Sequence, residues 1–408
     1  MPDPIPAAEA FSRVLEHVHP AASRPLPLAD AVGCVLAEEI RADRDGPPFD
    51  RAMMDGFAVR LSDAGATVPV SGEVTAGAAP DGPLADGLAV RIMTGAPCPE
   101  GTEAVVPVEQ TSESGERVSL PALVQAEQHI ARRGSDRKSG DLLLPPGAPV
   151  TPLMVAVLAS AGRTTVEVIP RPTVTVISTG NELAGPGADP GPYGIRDSNR
   201  PMMEALVRQS GLTLLESLHA GDTAEELESA FGRAFAADIV MVSGGVSAGK
   251  YDLVPETAER MGAVKVFHKV WQRPGKPLFF ATTGRRPRGL LFGLPGNPLA
   301  VHFCFHHYVL PAACRLAGKP LPGREGRAVL SEPCRPRGNR PSYLPARVEP
   351  DPAGGRLRAR LLPVSGSADI YGAAAANALV HLDPQQGPLA RGDEVTFFWL
   401  GPAEEVNG

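Results

Sequence analysis

Residues 238–249, DIVMVSGGVSAG, decide the fold: a β-prone apolar run stops on a serine and passes straight into glycines. The same grammar stands on either side. At 173–182 the run TVTVIS leads into Thr179, Gly180, Asn181 and Glu182, and at 290–298 LLFGL leads into Pro295, Gly296, Asn297 and Pro298. Between and beyond these runs lie segments with helical spacing, at about 202–209 and 224–235, and further β-prone runs TLLESL, VKVFHKV and LFFAT. Strands alternating with helices from about residue 169 onward predict a parallel α/β sheet with helices on both faces. In the 224–235 helix, Thr223 and Glu226 have capping-box spacing, and Leu227, Phe231 and Phe235 make an apolar stripe. Ligands of such sheets collect beyond the carboxyl ends of the strands, near a reversal of strand order. The three glycine-bearing loops therefore describe one crevice, built from Thr179, Gly180, Glu182, Gly244, Gly245, Ser247, Gly249, Pro295, Gly296 and Asn297.

The GGVSAGK stretch meets most of a P-loop pattern, but Tyr251 stands where a Ser or Thr hydroxyl would hold magnesium. A Walker nucleotide site is rejected on that chemical ground. A Gly-rich anion nest remains, with Asp252 placed to offer a carboxylate to a cation beside bound phosphates. In HKVWQRPGKP, Lys269, Arg273 and Lys276 fall around a Pro-Gly turn, a strip suited to an oxyanion if it faces the crevice and otherwise a solvated surface. Asp55, Asp136 and Asp222 are distant acidic candidates, each of which alone reads as a turn or cap residue. Residue chemistry by itself reaches an enzyme-like crevice for a phosphorylated anion, with Mg²⁺ as a candidate cation.

The rest of the 408 residues narrows the class. With 43% hydrophobic and 21% charged residues the chain is globular, and at roughly 100–200 residues per domain it should hold two to four units. Its 44 prolines predict stiff turns and short loops. Five scattered cysteines, none in a C-x-x-C pair, signal neither a disulfide framework nor a zinc knuckle and fit a reducing compartment. The opening residues lack a signal-peptide pattern, and no run approaches the ~20 apolar residues of a membrane span, so a cytoplasmic protein away from membranes is expected. A net charge of −7 argues against nucleic acid as a partner. Phe11, Val14, Leu15 and Val18 predict an amphipathic helix near the start. Short β-prone runs at 67–70, 88–92 and 103–108 mark a β-rich unit, and a strand and a helix follow in 141–161. The end, with EVTFFWL, reads as a small β domain.

Taken in order, the segments PPFDRAMMDGFAV, RIMTGAPCPEGTEAVVPVE, RRGSDRKSGD, STGNEL, RDSNR, SGGVSAGKYD, RPGKP and GLPGNP resemble the MoeA/gephyrin E-domain family of molybdopterin molybdenumtransferases across nearly the whole chain. The central α/β part is also similar to the MogA-type molybdopterin-binding fold. The resemblance implies a multi-domain α/β protein. Its parts would be a discontinuous α+β N-terminal domain (1–49 with 135–168), a β-rich insertion (50–134), a three-layer MogA-like α/β domain (169–317) and a C-terminal β domain (318–408). It implies a homodimer whose active site is shared between the α/β domain of one subunit and the insertion of the other. The implied reaction takes adenylylated molybdopterin and molybdate with Mg²⁺ and releases AMP, with a MogA-like adenylyltransferase as the partner that would supply substrate. Residues matching the family's functional positions are Asp55, Asp136, Glu182, Asp222, Asp252 and Lys269, with Lys276 and Ser367 in addition. The carboxylates Glu182, Asp222 and Asp252 would hold Mg²⁺, while the cations, Arg273 included, would hold oxyanion and cofactor.

Several positions depart from the family pattern. Asn181 stands in STGNEL where Asp is usual, removing one carboxylate beside Glu182; Arg273 replaces a Lys; and Pro345 occupies a position often held by Arg. Two other readings stand beside molybdate insertion: a tungstate-inserting paralogue, and a gephyrin-like scaffold that binds receptors.

Overall fold

The computed structural model of the protein describes residues 4–247, 253–284, 289–323, 325–336, 338–351 and 354–401. The chain forms two compact units, one of Met1–Leu26, Gly33–Ala37 and Glu167–Gly408, the other of Pro27–Val32 and Glu38–Val166. Two units are a coarser division than the four segments read from the sequence. No helix among the described residues is long and apolar enough to cross a membrane.

The first unit is built on a six-stranded sheet. In chain order its elements are β1 (Thr173–Thr179), α1 (Asn199–Gln209), β2 (Thr213–Ala220), α2 (Ala224–Ala234), β3 (Ile239–Ser243), α3 (Val254–Arg260), β4 (Ala263–His268), β5 (Phe279–Thr283), β6 (Gly289–Leu294) and α4 (Pro298–Cys304). Spatially the strands run β2-β1-β3-β6-β5-β4. The first four are parallel, as expected, but β5 is antiparallel to both β6 and β4. VKVFHKV and LFFAT thus form an antiparallel edge rather than part of the parallel sheet. The reason is the connection: a parallel neighbour needs a crossover of a dozen or more residues, usually a helix, and no helix separates β4, β5 and β6. The register of outer strand β4 shifts between Lys265 and Phe267.

Alternation along the strands gives the sheet two apolar faces. Val174, Val176, Ile239, Met241, Phe280, Leu290 and Phe292 face one core with Met203 and Val207 of α1. Ile177, Val240, Val242, Phe279, Ala281 and Leu291 face the other with Leu227 and Phe231 of α2 and Ala258 of α3. This is the three-layer α/β arrangement. The opening helix Ala7–Glu16 joins the first core through Ala10 and Val14, with Val18 just beyond its end. Helix α1 begins three residues before the expected start, where the Asp197 carboxylate accepts from the Arg200 N–H at 3.1 Å. The capping box of α2 is only half formed. Thr223 Oγ1 accepts from the Glu226 N–H at 3.3 Å, while the Glu226 carboxylate takes the Thr223 hydroxyl at 2.8 Å instead of a backbone donor.

The C-terminal part of this unit is a closed barrel of Glu325–Leu330, Leu357–Leu361, Ser342–Pro350, Ala378–Leu382 and Glu394–Trp399, filled by Ala346, Val348, Ala359, Val380 and Phe397. It meets the α/β domain in an aromatic cluster. His307, in the π-helical turn Phe305–Val309 that continues α4, packs on Phe303, Tyr308, Tyr343 and Phe398. Burial, with the nearby His381 as a lesser cause, pushes the His307 imidazole down to about 4. An unfolded chain binds a proton there near pH 6.5 and the folded one does not, so stability should fall as pH drops from about 6.5 towards 4, by about 3 kcal/mol in full. Urea unfolding between pH 7 and 4.5 checks this. A His307→Phe variant should show a shallower pH slope than wild type.

In the second unit, a six-stranded sheet runs Ser112–Ser114, Arg117–Ser119, Thr67–Val74, Ala89–Ile92, Gly56–Val59, Ala104–Pro107. Phe57, Val59, Ala104 and Val106 fill one face and Ala58, Val105, Ile92 and Val74 the other. The strand Leu142–Leu144 and helix Pro152–Ser160 also belong to this unit.

Candidate active site

Strand β1 lies between β2 and β3, so the chain leaves β1 to one side of the sheet and then returns to the other. That reversal parts the loops that follow β1 and β3 and opens a crevice at their carboxyl ends. A cleft of about 670 Å³ occupies it. Among the expected residues, Thr179, Gly180, Glu182, Asp222, Gly244, Gly245, Ser247, Pro295, Gly296 and Asn297 line its wall. Gly249 and Asp252 lie outside the described residues.

The glycines are there because backbone meets backbone. Gly244 has φ +98°, and a Cβ on it would stand 2.6 Å from Thr179 Oγ1 and 2.8 Å from Thr179 O. From the other side the Thr179 hydroxyl donates to the Ser243 carbonyl at 3.3 Å. Gly180, at φ +140°, leaves room for the Glu182 carboxylate to fold over it, the nearer oxygen 2.4 Å from where a Cβ would be. Asn181 and Asp222 bind reciprocally: the Asn181 N–H donates to Asp222 Oδ2 at 3.0 Å, and the Asp222 N–H to Asn181 Oδ1 at 3.3 Å. An amide at 181 thus supplies the acceptor an Asp would supply, without a second negative charge against Asp222.

Two residues not singled out from the sequence hold or face this cleft. Asn199 Nδ2 donates at 2.6 Å both to Ser243 Oγ and to the Gly296 carbonyl, tying the start of α1 to the ends of β3 and β6. Among the described residues, Arg196 is the one Lys or Arg that lines the cleft. Both belong to the RDSNR segment, whose position between β1 and α1 was the available signal. Asn199→Asp should cost more than Asn199→Ala, because a carboxylate would face the Gly296 carbonyl with no hydrogen to give. We expect losses of about 1–3 kcal/mol in urea unfolding, in that order.

The members of the basic strip fall at different places. Arg273 and Ser367 line an adjacent cavity of about 460 Å³, and Lys269 and Lys276 are not among the lining residues of either space. The backbone of the strip is fixed at two places. Lys269 has φ +78°, and the loop beyond it is fixed by the Arg273 N–H donating to Pro341 O at 2.9 Å and its carbonyl accepting from the Tyr343 N–H at 2.8 Å. The second cavity is largely apolar, walled by Met202, Leu299, Tyr343, Leu344, Pro345 and Leu379. It shares Ser198, Pro298, Ile370 and Tyr371 with the cleft.

Asp55 and Asp136 belong to the second unit and are exposed. Asp55 Oδ1 accepts from the Thr94 hydroxyl and N–H, both at 2.6 Å, which holds its carboxyl below the usual carboxylate range. Asp136 Oδ1 accepts from the Ser135 hydroxyl at 3.3 Å.

Three family models cover the chain in order. They are the MoeA N-terminal region (domain I and II) at residues 5–162, a "probable molybdopterin binding domain" at 175–314, and the MoeA C-terminal region (domain IV) at 327–400. A Bacillus subtilis protein named molybdopterin molybdenumtransferase is 38% identical over 76% of this chain and 74% of its own length. The chain belongs to the MoeA family. The Mycobacterium tuberculosis protein named molybdopterin molybdenumtransferase 2 is likewise 38% identical to this MoeA chain, over 78% of it and 82% of the relative. A crystal structure of the molybdopterin biosynthesis MoeA protein from Pyrococcus horikoshii superposes with a TM-score of 0.77 at 27% identity, covering 98% of this chain and 99% of that one.

In this MoeA chain Glu182 and Asp222 are the expected metal carboxylates that line the cleft. No group of three or more His, Cys, Asp or Glu able to hold a metal occurs among the described residues. Two carboxylates still fit Mg²⁺, which commonly takes one or two together with water and substrate phosphates.

Proposed function

We propose that this chain is a molybdopterin molybdenumtransferase, inserting molybdate into adenylylated molybdopterin and releasing AMP. One observation carries the reading: in a MoeA-family chain, three glycine-bearing loops and two carboxylates converge where the strand order reverses. In this reading the phosphates of the substrate lie against the glycine loops, where the bare backbone lets them approach. Arg196 offsets their charge across the cleft. Glu182 and Asp222 would hold Mg²⁺, which would neutralise phosphate charge as the bond to AMP breaks. Asn181 keeps the Asp222 carboxylate in place. Arg273 and Ser367, in the adjoining cavity, would take the oxyanion, with the catalytic Lys269 and with Lys276 as further cations for oxyanion and cofactor.

Asp55 and Asp136, together with Asp252 and Gly249, complete the proposed residue set, with Asp55 acting from the insertion of the partner subunit of a homodimer. The four-segment division of the chain, a cytoplasmic location and delivery of substrate by a MogA-like adenylyltransferase belong to the same proposal.

The test is incubation of purified protein with adenylylated molybdopterin, MgCl₂ and molybdate, following AMP and pterin-bound molybdenum. Both should appear together and depend on the divalent cation. No AMP with all components present would overturn the reading, and a faster reaction with tungstate would redirect it to that oxyanion.

A further inference from the structure

Tyr371 is 89% exposed, yet the segment that carries it is tied down on both sides. The Asp369 carboxylate accepts from the Gly372 N–H at 3.0 Å, from the Ser365 N–H at 2.9 Å and from the Ser365 hydroxyl at 3.1 Å. Ahead of it, Ser367 is bound to the α/β domain twice, its carbonyl by the Leu299 N–H at 3.1 Å and its hydroxyl by Asn297 Nδ2 at 2.7 Å. Behind it, Gly372 packs so closely on the Pro363 carbonyl that a Cβ would lie 2.2 Å from that oxygen. A large aromatic ring is therefore held out in solvent on a backbone pinned at both sides. Through its side chain it enters no ring pair or hydrogen bond among the described residues.

Its position gives the exposure a use. Tyr371 lines both the polar cleft at the ends of β1 and β3 and the apolar cavity beside it. A ligand that reaches from the glycine loops into the apolar cavity passes this shared wall. With the backbone beneath it fixed, the Tyr371 ring has only two side-chain torsions to settle when it meets a flat ring, a small entropic cost. We propose that Tyr371 is a specificity-determining residue that stacks on a planar heteroaromatic ring of the phosphorylated ligand. The inference rests on the transferase reading, whose substrate carries two such rings, adenine and pterin.

Equilibrium binding separates them, with AMP, a 6-hydroxymethylpterin monophosphate and ribose 5-phosphate as probes on the full-length protein. Tyr371→Ser should weaken whichever ring-bearing probe is stacked by about tenfold, the size of one base-aromatic contact. Ribose 5-phosphate, which has no such ring, should bind the variant as it binds wild type. Tyr371→Phe should recover most of the loss, as a merely structural role for the hydroxyl would not allow. Loss with AMP alone assigns adenine, and loss with the pterin probe alone assigns the pterin. Equal weakening of ribose 5-phosphate, no change with either ring-bearing probe, or no binding of either by wild type overturns the stacking assignment. If ring selectivity vanishes in Tyr371→Ser but wild type releases no AMP from the adenylylated pterin, the stacking stands and the transferase reading falls. If AMP release proceeds and the variant binds all probes as wild type does, the outcome is reversed.

Discussion

Asp222→Asn is expected to slow AMP release by about 10²–10³-fold, the usual cost of removing one preorganised charge from a site where charge develops. The substitution is chosen because an asparagine oxygen can still accept the Asn181 N–H that Asp222 Oδ2 accepts at 3.0 Å. The loop should therefore stay tied, and urea unfolding should move by less than about 0.5 kcal/mol. The Mg²⁺ concentration for half-maximal rate should rise, since one of the two proposed ligands is gone. Wild-type turnover in this variant would remove Asp222 from the chemistry and leave it as the loop fastener seen in the structure.

Gly244→Ala should act through the backbone instead. At φ +98° an alanine costs about 1–2 kcal/mol by itself. Its methyl would also press on Thr179 Oγ1 and the Thr179 carbonyl, at 2.6 and 2.8 Å, adding about 1–3 kcal/mol of overpacking. The ends of β1 and β3 would have to part at the crevice itself, so AMP release should fall together with a total stability loss of about 2–5 kcal/mol. Gly296→Ala is the control for stability. That glycine lines the same cleft, but a methyl there would meet nothing within 4 Å, and unfolding should shift by less than about 0.5 kcal/mol.

These variants also mark what could be read from the chain alone. Apolar strands stopping on glycine were legible because close backbone approach admits few other residues, and the three loops do line one cleft. The antiparallel turn of β4 and β5 was missed although its signal was present: no helical segment lies between VKVFHKV and LFFAT. That Arg273 lines the second cavity was not legible, because its backbone is held by hydrogen bonds to Pro341 and Tyr343, more than sixty residues away. Asn199 was hidden for a related reason. Its amide matters because it reaches Ser243 and Gly296, and only the folded sheet sets those beside the start of α1.

The shifted register of β4 bears on how the protein behaves when crowded. This strand is the outermost of the sheet, with Val264 63% exposed, the kind of border to which another chain can add itself. The irregularity between Lys265 and Phe267 breaks that template at mid-length, and the Lys265 ammonium, 3.0 Å from Glu259, sets charge along it. A kink and one lysine on the outer strand thus work against edge-to-edge association.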